Sequence, residues 1–220
     1  MTGLAAARMW CFLVGSLAVL SGQPVDVMLT LETSPGTEQA IGLLRPRVFQ
    51  EGDRAGVIGF TNRATHVLQP LTEDHEALES ALQRAGTRVG VGLGGVQINS
   101  TWTVDLVAPI KQACRELERS ELSERRRAVV VLFGSDDPEL RIHLEDVKVA
   151  LGAANARLYA VVIDRSAGER GSPPGRQVRI LQPFPGLTAQ LMADLAKHSG
   201  GRIFRGGWDL KDILKELRHP

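Results

Sequence analysis

Four short runs of the chain are almost wholly apolar: residues 25–31, 55–60, 128–133 and 158–163. A strand has this composition when helices cover both faces of its sheet. A fifth run, 65–68, follows the second after only Thr61-Asn62-Arg63-Ala64. So short a link permits a hairpin but no parallel crossover, so one edge of the sheet is expected to be antiparallel. Between these runs apolar residues recur at helical spacing: Leu78, Ala81, Leu82 and Ala85; Leu106, Ile110, Cys114 and Leu117; Leu140, Leu144, Val147 and Leu151; Leu187, Leu191 and Leu195; Leu210, Ile213, Leu214 and Leu217. Gly86 and Gly200 stand where glycines just past a helix end would. Asp209 opens the last helix while Arg218 and His219 close it, as the helix dipole favours. Alternating strands and helices predict an α/β fold: a doubly wound, mostly parallel central sheet with one antiparallel edge strand and helices on both faces.

A different pattern precedes the first strand. Arg8 leads an apolar run from Met9 to Leu20, and Ser21-Gly22-Gln23-Pro24 breaks it. One positive charge, an apolar stretch and a small-residue exit match a secretory signal peptide over residues 1–21, cut after Ser21. The alternative is a buried amino-terminal helix. The run is too short for a comfortable membrane span, so no stable span is expected once the leader is removed. Export would place the protein outside the cell or in the periplasm. Cys114 is then the single remaining cysteine, with no internal disulfide to form. Lying on the apolar stripe of its helix, it reads as a small buried hydrophobe. Residues 22–220 are expected to form a single domain, which that length can supply with a proper core. Residues 164–185, rich in glycine and proline and carrying Arg165, Arg170, Arg176 and Arg179, read as a loop or hairpin insertion, with residues 178–181 as a short extra strand.

Charge narrows the function. Charged residues make up 23% of the 220 and the net charge is +1, so no global field draws nucleic acid or an anionic membrane. Arg125-Arg126-Arg127 reads as a solvated helix-to-strand turn rather than a nucleic-acid patch. Aromatic residues are too few and scattered for a base-stacking surface. Gly90-Val91-Gly92-Leu93-Gly94-Gly95 lacks the Lys-Ser/Thr of a phosphate loop and reads as a flexible connection. The histidines show no metal-ligand spacing, and no Gly-x-Ser-x-Gly nucleophile turn occurs. The adjacent acids Asp136 and Asp137, before Pro138, read as a carboxylate pair or as a helix start.

The first apolar run ends in Leu31-Glu32-Thr33-Ser34-Pro35-Gly36-Thr37. An acid and hydroxyls at the carboxyl end of a strand, before a helix, stand where α/β sheets place ligands, and they could offer oxygen to a hard divalent cation. Further on, Val67-Leu68-Gln69-Pro70-Leu71-Thr72-Glu73-Asp74 resembles a "v-l-x-p-l-T-x-D" link, and Leu195-Ala196-Lys197-His198-Ser199-Gly200-Gly201-Arg202-Ile203-Phe204 an "L-A-x-x-T-G-G-x-x-F" lead-in to a last strand. In this order, from about Val25 to Leu217, the segments resemble a von Willebrand factor type A (VWA) domain of the bacterial secreted, acidobacterial kind, with its Rossmann-like sheet.

The resemblance implies a metal-ion-dependent adhesion site built from an Asp-x-Ser-x-Ser turn, a distant Thr and a later Asp. Glu32 takes the place of the turn's Asp, and Ser34 keeps the first Ser. Gly36 replaces the second Ser, beside Thr37. Thr101 matches the Thr, and Gly134 stands where the later Asp would be, with Asp136 two residues on. The implied ligands for Mg²⁺ or Mn²⁺ are therefore Glu32, Ser34, Thr101 and Asp136, a degenerate set. Thr33, Thr37, Trp102, Ser135 and Asp137 would line the partner surface. Ser34 and Thr101 also have a bland reading as helix-capping hydroxyls. The implied function is non-enzymatic: an adhesion or scaffold module binding a protein or other macromolecule through the carboxyl-edge loops, with metal dependence weak or lost. The alternatives are a structural assembly component with an inert site and, third, a nucleotide-binding or hydrolytic enzyme.

Overall fold

The first strand, β1 (Val25–Glu32), is buried at every position. In a computed structural model of the protein, residues 23–34, 37–62, 64–88, 103–120, 124–163, 186–206 and 208–219 are described. After β1 come a short helix α1 (Glu38–Gly42), a 3₁₀ turn (Pro46–Val48), β2 (Arg54–Phe60), β3 (Thr65–Thr72) and α2 (His75–Arg88). They are followed by α3 (Val107–Glu118), β4 (Arg126–Phe133), α4 (Leu144–Ala153), β5 (Ala156–Val162), α5 (Gly186–His198), β6 (Arg202–Arg205) and α6 (Leu210–Arg218). The six strands form one sheet in the order β3-β2-β1-β4-β5-β6. All neighbours are parallel except β2 and β3, the tight hairpin that the four-residue link requires.

Alternation along the strands sorts the core into two layers. Val25, Val27, Leu29 and Leu31 of β1 pack with α1, α2 and α6. Met28, on the other face, packs with α3, α4 and α5. That second face of β1 also carries Asp26, Thr30 and Glu32, all fully buried. Thus one strand holds a buried carboxylate at each end, six residues or about 20 Å apart. Their partners differ in kind.

Asp26, at the amino edge, is neutralised by cations. Arg54 reaches it through two hydrogen bonds of 2.9 and 2.6 Å, Arg125 through one of 3.1 Å, and Ser120 adds a hydroxyl at 3.0 Å. The Asp26 carboxylate in turn raises the Arg54 guanidinium above its ordinary value. Arg126 donates to the carbonyl of Leu217 at the end of α6, and Arg127 to those of Ser120 and Ala154, past the ends of α3 and α4. Helices that follow parallel strands end at this edge with unpaired carbonyls, and guanidinium groups satisfy them. The arginine cluster is therefore a set of helix caps and carboxylate partners, which corrects its reading as a solvated turn.

The Ser-Gly-Gly lead-in to β6 has a physical cause. Gly200 closes α5 at φ +77°. Its amide donates to Lys197 and that of Gly201 to Ala196, the two bonds of a Schellman cap. A side chain on Gly201 would meet the Leu158 carbonyl oxygen at 2.0 Å, so this position must be bare. Gly86, by contrast, lies inside α2, which continues to Arg88, so the expectation that it ends that helix is corrected.

Candidate functional site

The strand order reverses between β1 and β4, because the chain moves outward through β2 and β3 and returns to β1's other side. Crevices at such switch points, outside the carboxyl ends of the strands, are where open α/β sheets hold ligands. Glu32 ends β1 at this point, and Gly134 directly follows β4.

The two loops meet on the Glu32 carboxylate. Oε2 accepts the Gly134 amide at 2.6 Å, and Oε1 accepts the Ser135 hydroxyl at 2.6 Å. The Ser34 hydroxyl also donates to Oε1. Ser34 thus serves Glu32 rather than capping α1; the N-cap residue, Thr37, turns its own hydroxyl to the Ser34 carbonyl at 2.8 Å. Thr33 is tied to β2 by its amide and hydroxyl, both donating to the Phe60 carbonyl, at 2.8 and 3.1 Å.

Asp137 organises the loop beyond. Its Oδ2 accepts the Leu106 amide at 2.7 Å, at the start of α3. Its Oδ1 accepts the amides of Glu139 and Leu140 at 2.8 and 3.0 Å, and its own amide donates to the Thr188 hydroxyl in the first turn of α5. The carboxylate therefore fixes the start of α3 and the turn after β4, and the backbone amide ties that turn to the first turn of α5. Burial lifts the Asp137 carboxyl above its ordinary value of 3.8, the charge of Asp105 adds to this, and the three amides oppose it. The segment it closes is a turn, since α4 begins only at Leu144. Asp136 meets Thr103 in an isolated parallel bridge, with the Val104 amide donating to its carbonyl at 2.9 Å.

Of the residues expected from sequence, the structure brings Glu32, Ser34 and Ser135 into contact, with Thr37 and Asp137 in the same loops. Thr101 and Trp102 lie outside the described residues. Glu32 and Thr37 are 0% exposed, Ser135 and Asp137 3%, so these side chains shape the loops from within. Sequence reasoning missed Gly134 as a donor, because a backbone amide leaves no signal in residue type.

Among the described residues, Glu32 is already engaged by protein donors, while Thr101, one of the four expected ligands, lies outside them. Mg²⁺ requires several oxygens with free lone pairs in near-octahedral array. Three protein donors meet Glu32, one on Oε2 and two on Oε1, and Gly134 offers no side chain where the resemblance implies a carboxylate. No group of three or more His, Cys, Asp or Glu suited to a metal occurs among the described residues.

Beside the loops an open groove of about 810 Å³ runs between β3 and the outer face of α3 toward α4. Thr65 and Val67 form one wall, Asp105, Lys111 and Arg115 the other, and His143 closes it. In the turn before α4, on α4 and at the start of α5, Ile142, Val149 and Leu187 are 77%, 70% and 56% exposed.

No protein-family profile matches the chain, and no curated protein does. Solved structures do. An aerotolerance-related membrane protein from Bacteroides fragilis, crystallised with multiple mutations to serine, aligns with TM-score 0.55 and 18% identity over 88% of this chain and 98% of its own. BatB from Bacteroides thetaiotaomicron aligns with TM-score 0.58 and 15% identity over the same shares. The SpRpn10 VWA domain aligns with TM-score 0.53 and 15% identity, over 88% of this chain and 95% of its own. At such identities the likeness speaks for architecture alone. The mixed six-stranded sheet with helices on both faces is a VWA-like, Rossmann-like α/β fold.

Proposed function

We propose that the protein is a non-enzymatic interaction module, exported to the cell exterior or periplasm, that binds a protein partner at the carboxyl edge without needing a metal. The observation that carries this reading is the groove of about 810 Å³ beside the switch point, walled by side chains of both signs. The loops beside it are held from within by Glu32 and Asp137, so the surface they present is fixed before a partner arrives. Quantitative capture from the native cell extract tests the proposal. Lys111→Glu with Arg115→Glu should weaken retention of a specific partner at least tenfold, while Glu51→Lys, in an exposed turn at the opposite edge, leaves it unchanged. Chelation of divalent metal should have no effect. Equal retention by all variants would defeat the proposal.

A second reading, a structural assembly component, is favoured by the exposed Ile142, Val149 and Leu187. It predicts self-association in sedimentation that Ile142→Asp with Val149→Asp abolishes.

A further inference from the structure

The geometry points to Glu32 as an internal pin that takes over the work of a bound cation, joining the β1 and β4 loops by its own carboxylate. A cation at a switch point draws oxygens from separate loops onto one centre. In this chain the loops donate instead, and the centre they converge on is an acceptor. Gly134 sends its amide to Oε2, while Ser34 and Ser135 send hydroxyls to Oε1.

Three features of the residues make this possible. Glutamate is one methylene longer than aspartate, so a carboxylate rooted at the end of β1 spans the gap to β4. Position 134 presents its backbone amide to that carboxylate, where the resemblance implies an aspartate side chain. The hydroxyls of Ser34 and Ser135 donate to the same oxygen, so the contact links both loops rather than one. A buried carboxylate is costly unless its lone pairs are filled. The contrast with Asp26 on the same strand face sharpens the point. Asp26 is satisfied by two arginines and one hydroxyl, whereas Glu32 accepts from an amide and two hydroxyls of the very loops that would otherwise gather on a metal. The pinned loops form a permanent arrangement that divalent ions do not switch.

This inference stands independently of any partner, and its test needs none. Amide hydrogen exchange would be followed at Gly134 in residues 22–220, with and without 10 mM Mg²⁺ or Mn²⁺, in the native sequence, Glu32→Gln and Glu32→Ala. The native protein should protect the Gly134 amide equally with and without metal. Glu32→Ala should speed its exchange at least tenfold, with no recovery on adding metal. Glu32→Gln keeps the shape but turns an amide group toward one of the donors, so it should show a smaller acceleration. It also secures the result if the alanine variant fails to fold. Metal-induced protection in the native protein, or unchanged Gly134 exchange in Glu32→Gln and in a folded Glu32→Ala, would overturn the inference.

Discussion

Glu32 and Gly134 lie 102 positions apart in the chain, yet the amide of one donates to the carboxylate of the other at 2.6 Å, across the point where the sheet reverses its order. The bond closes the crevice in which α/β sheets usually hold a ligand. Removing the acceptor leaves two hydroxyls and a backbone amide with one partner fewer. At about 1–3 kcal/mol for each unsatisfied group, Glu32→Ala should cost roughly 2–4 kcal/mol. Urea denaturation would show it as a lower midpoint with an unchanged slope. A loss under about 0.5 kcal/mol would mean that water replaces the carboxylate at no cost.

The amino edge makes a separate prediction. Arg127 bonds the carbonyls of Ser120 and Ala154, linking the ends of two helices to β4. Arg127→Met keeps most of the apolar stem but leaves both carbonyls without this donor. It should cost about 2–3 kcal/mol, measured by denaturant unfolding. The same replacement at the exposed Arg141 should change stability by less than about 0.5 kcal/mol.

Asp137 should give stability a pH dependence of defined sign. Its folded carboxyl titrates above the ordinary 3.8, mainly because it is buried. A raised carboxyl value means the folded state holds the proton more tightly than the unfolded one. The contribution from this group is then fully present below pH 3.8 and is lost as pH rises through the higher folded value. Asp137→Asn removes that titration. The stability of the native protein relative to the variant should therefore decline as pH rises above 3.8, measured by denaturant midpoints at several pH values. A relative stability that rises with pH would contradict the burial argument.

Cys114 is buried on α3, and burial pushes its thiol up to about 12, with the charge of Glu118 adding to the effect. At pH 8 only about one thiol in ten thousand is then ionised. Cys114 in the folded protein, followed by mass spectrometry of its own peptide, should resist a thiol reagent for hours at this pH, and in urea it should react within minutes. Rapid labelling in the folded state would show that α3 opens readily.

Much of this architecture is legible in the residues. The apolar runs mark β1, β2, β4 and β5 to within two residues at each end, because a strand covered on both faces must be apolar throughout. Thr61-Asn62-Arg63-Ala64 forces the antiparallel edge. Helical spacing marks α2 through α6, although Leu140 falls in the turn before α4 and Leu187, 56% exposed, lies off the face of α5 that buries Ala189, Met192, Leu195 and Ala196. The errors fall where composition does not specify a partner. Arg125-Arg126-Arg127 looks like a solvated charge run, because nothing local shows that three helix ends converge on it. Ser34 looks like a cap, because the carboxylate it meets is reached only by the twist of the loop. Asp137 is expected to line the partner surface, although it is buried and its carboxylate accepts three amides from two places in the chain. The expectations for Thr101, Trp102, the glycine run at 90–95 and the insertion at 164–185 concern residues outside those described.

Calorimetric titration of residues 22–220 with Mg²⁺ and Mn²⁺ tests the central claim most directly. With Glu32 already held by Ser34, Gly134 and Ser135, no saturable heat should appear at millimolar metal. Saturable binding that Thr101→Ala abolishes would show that the loops open to gather on an ion, contradicting the internal pin.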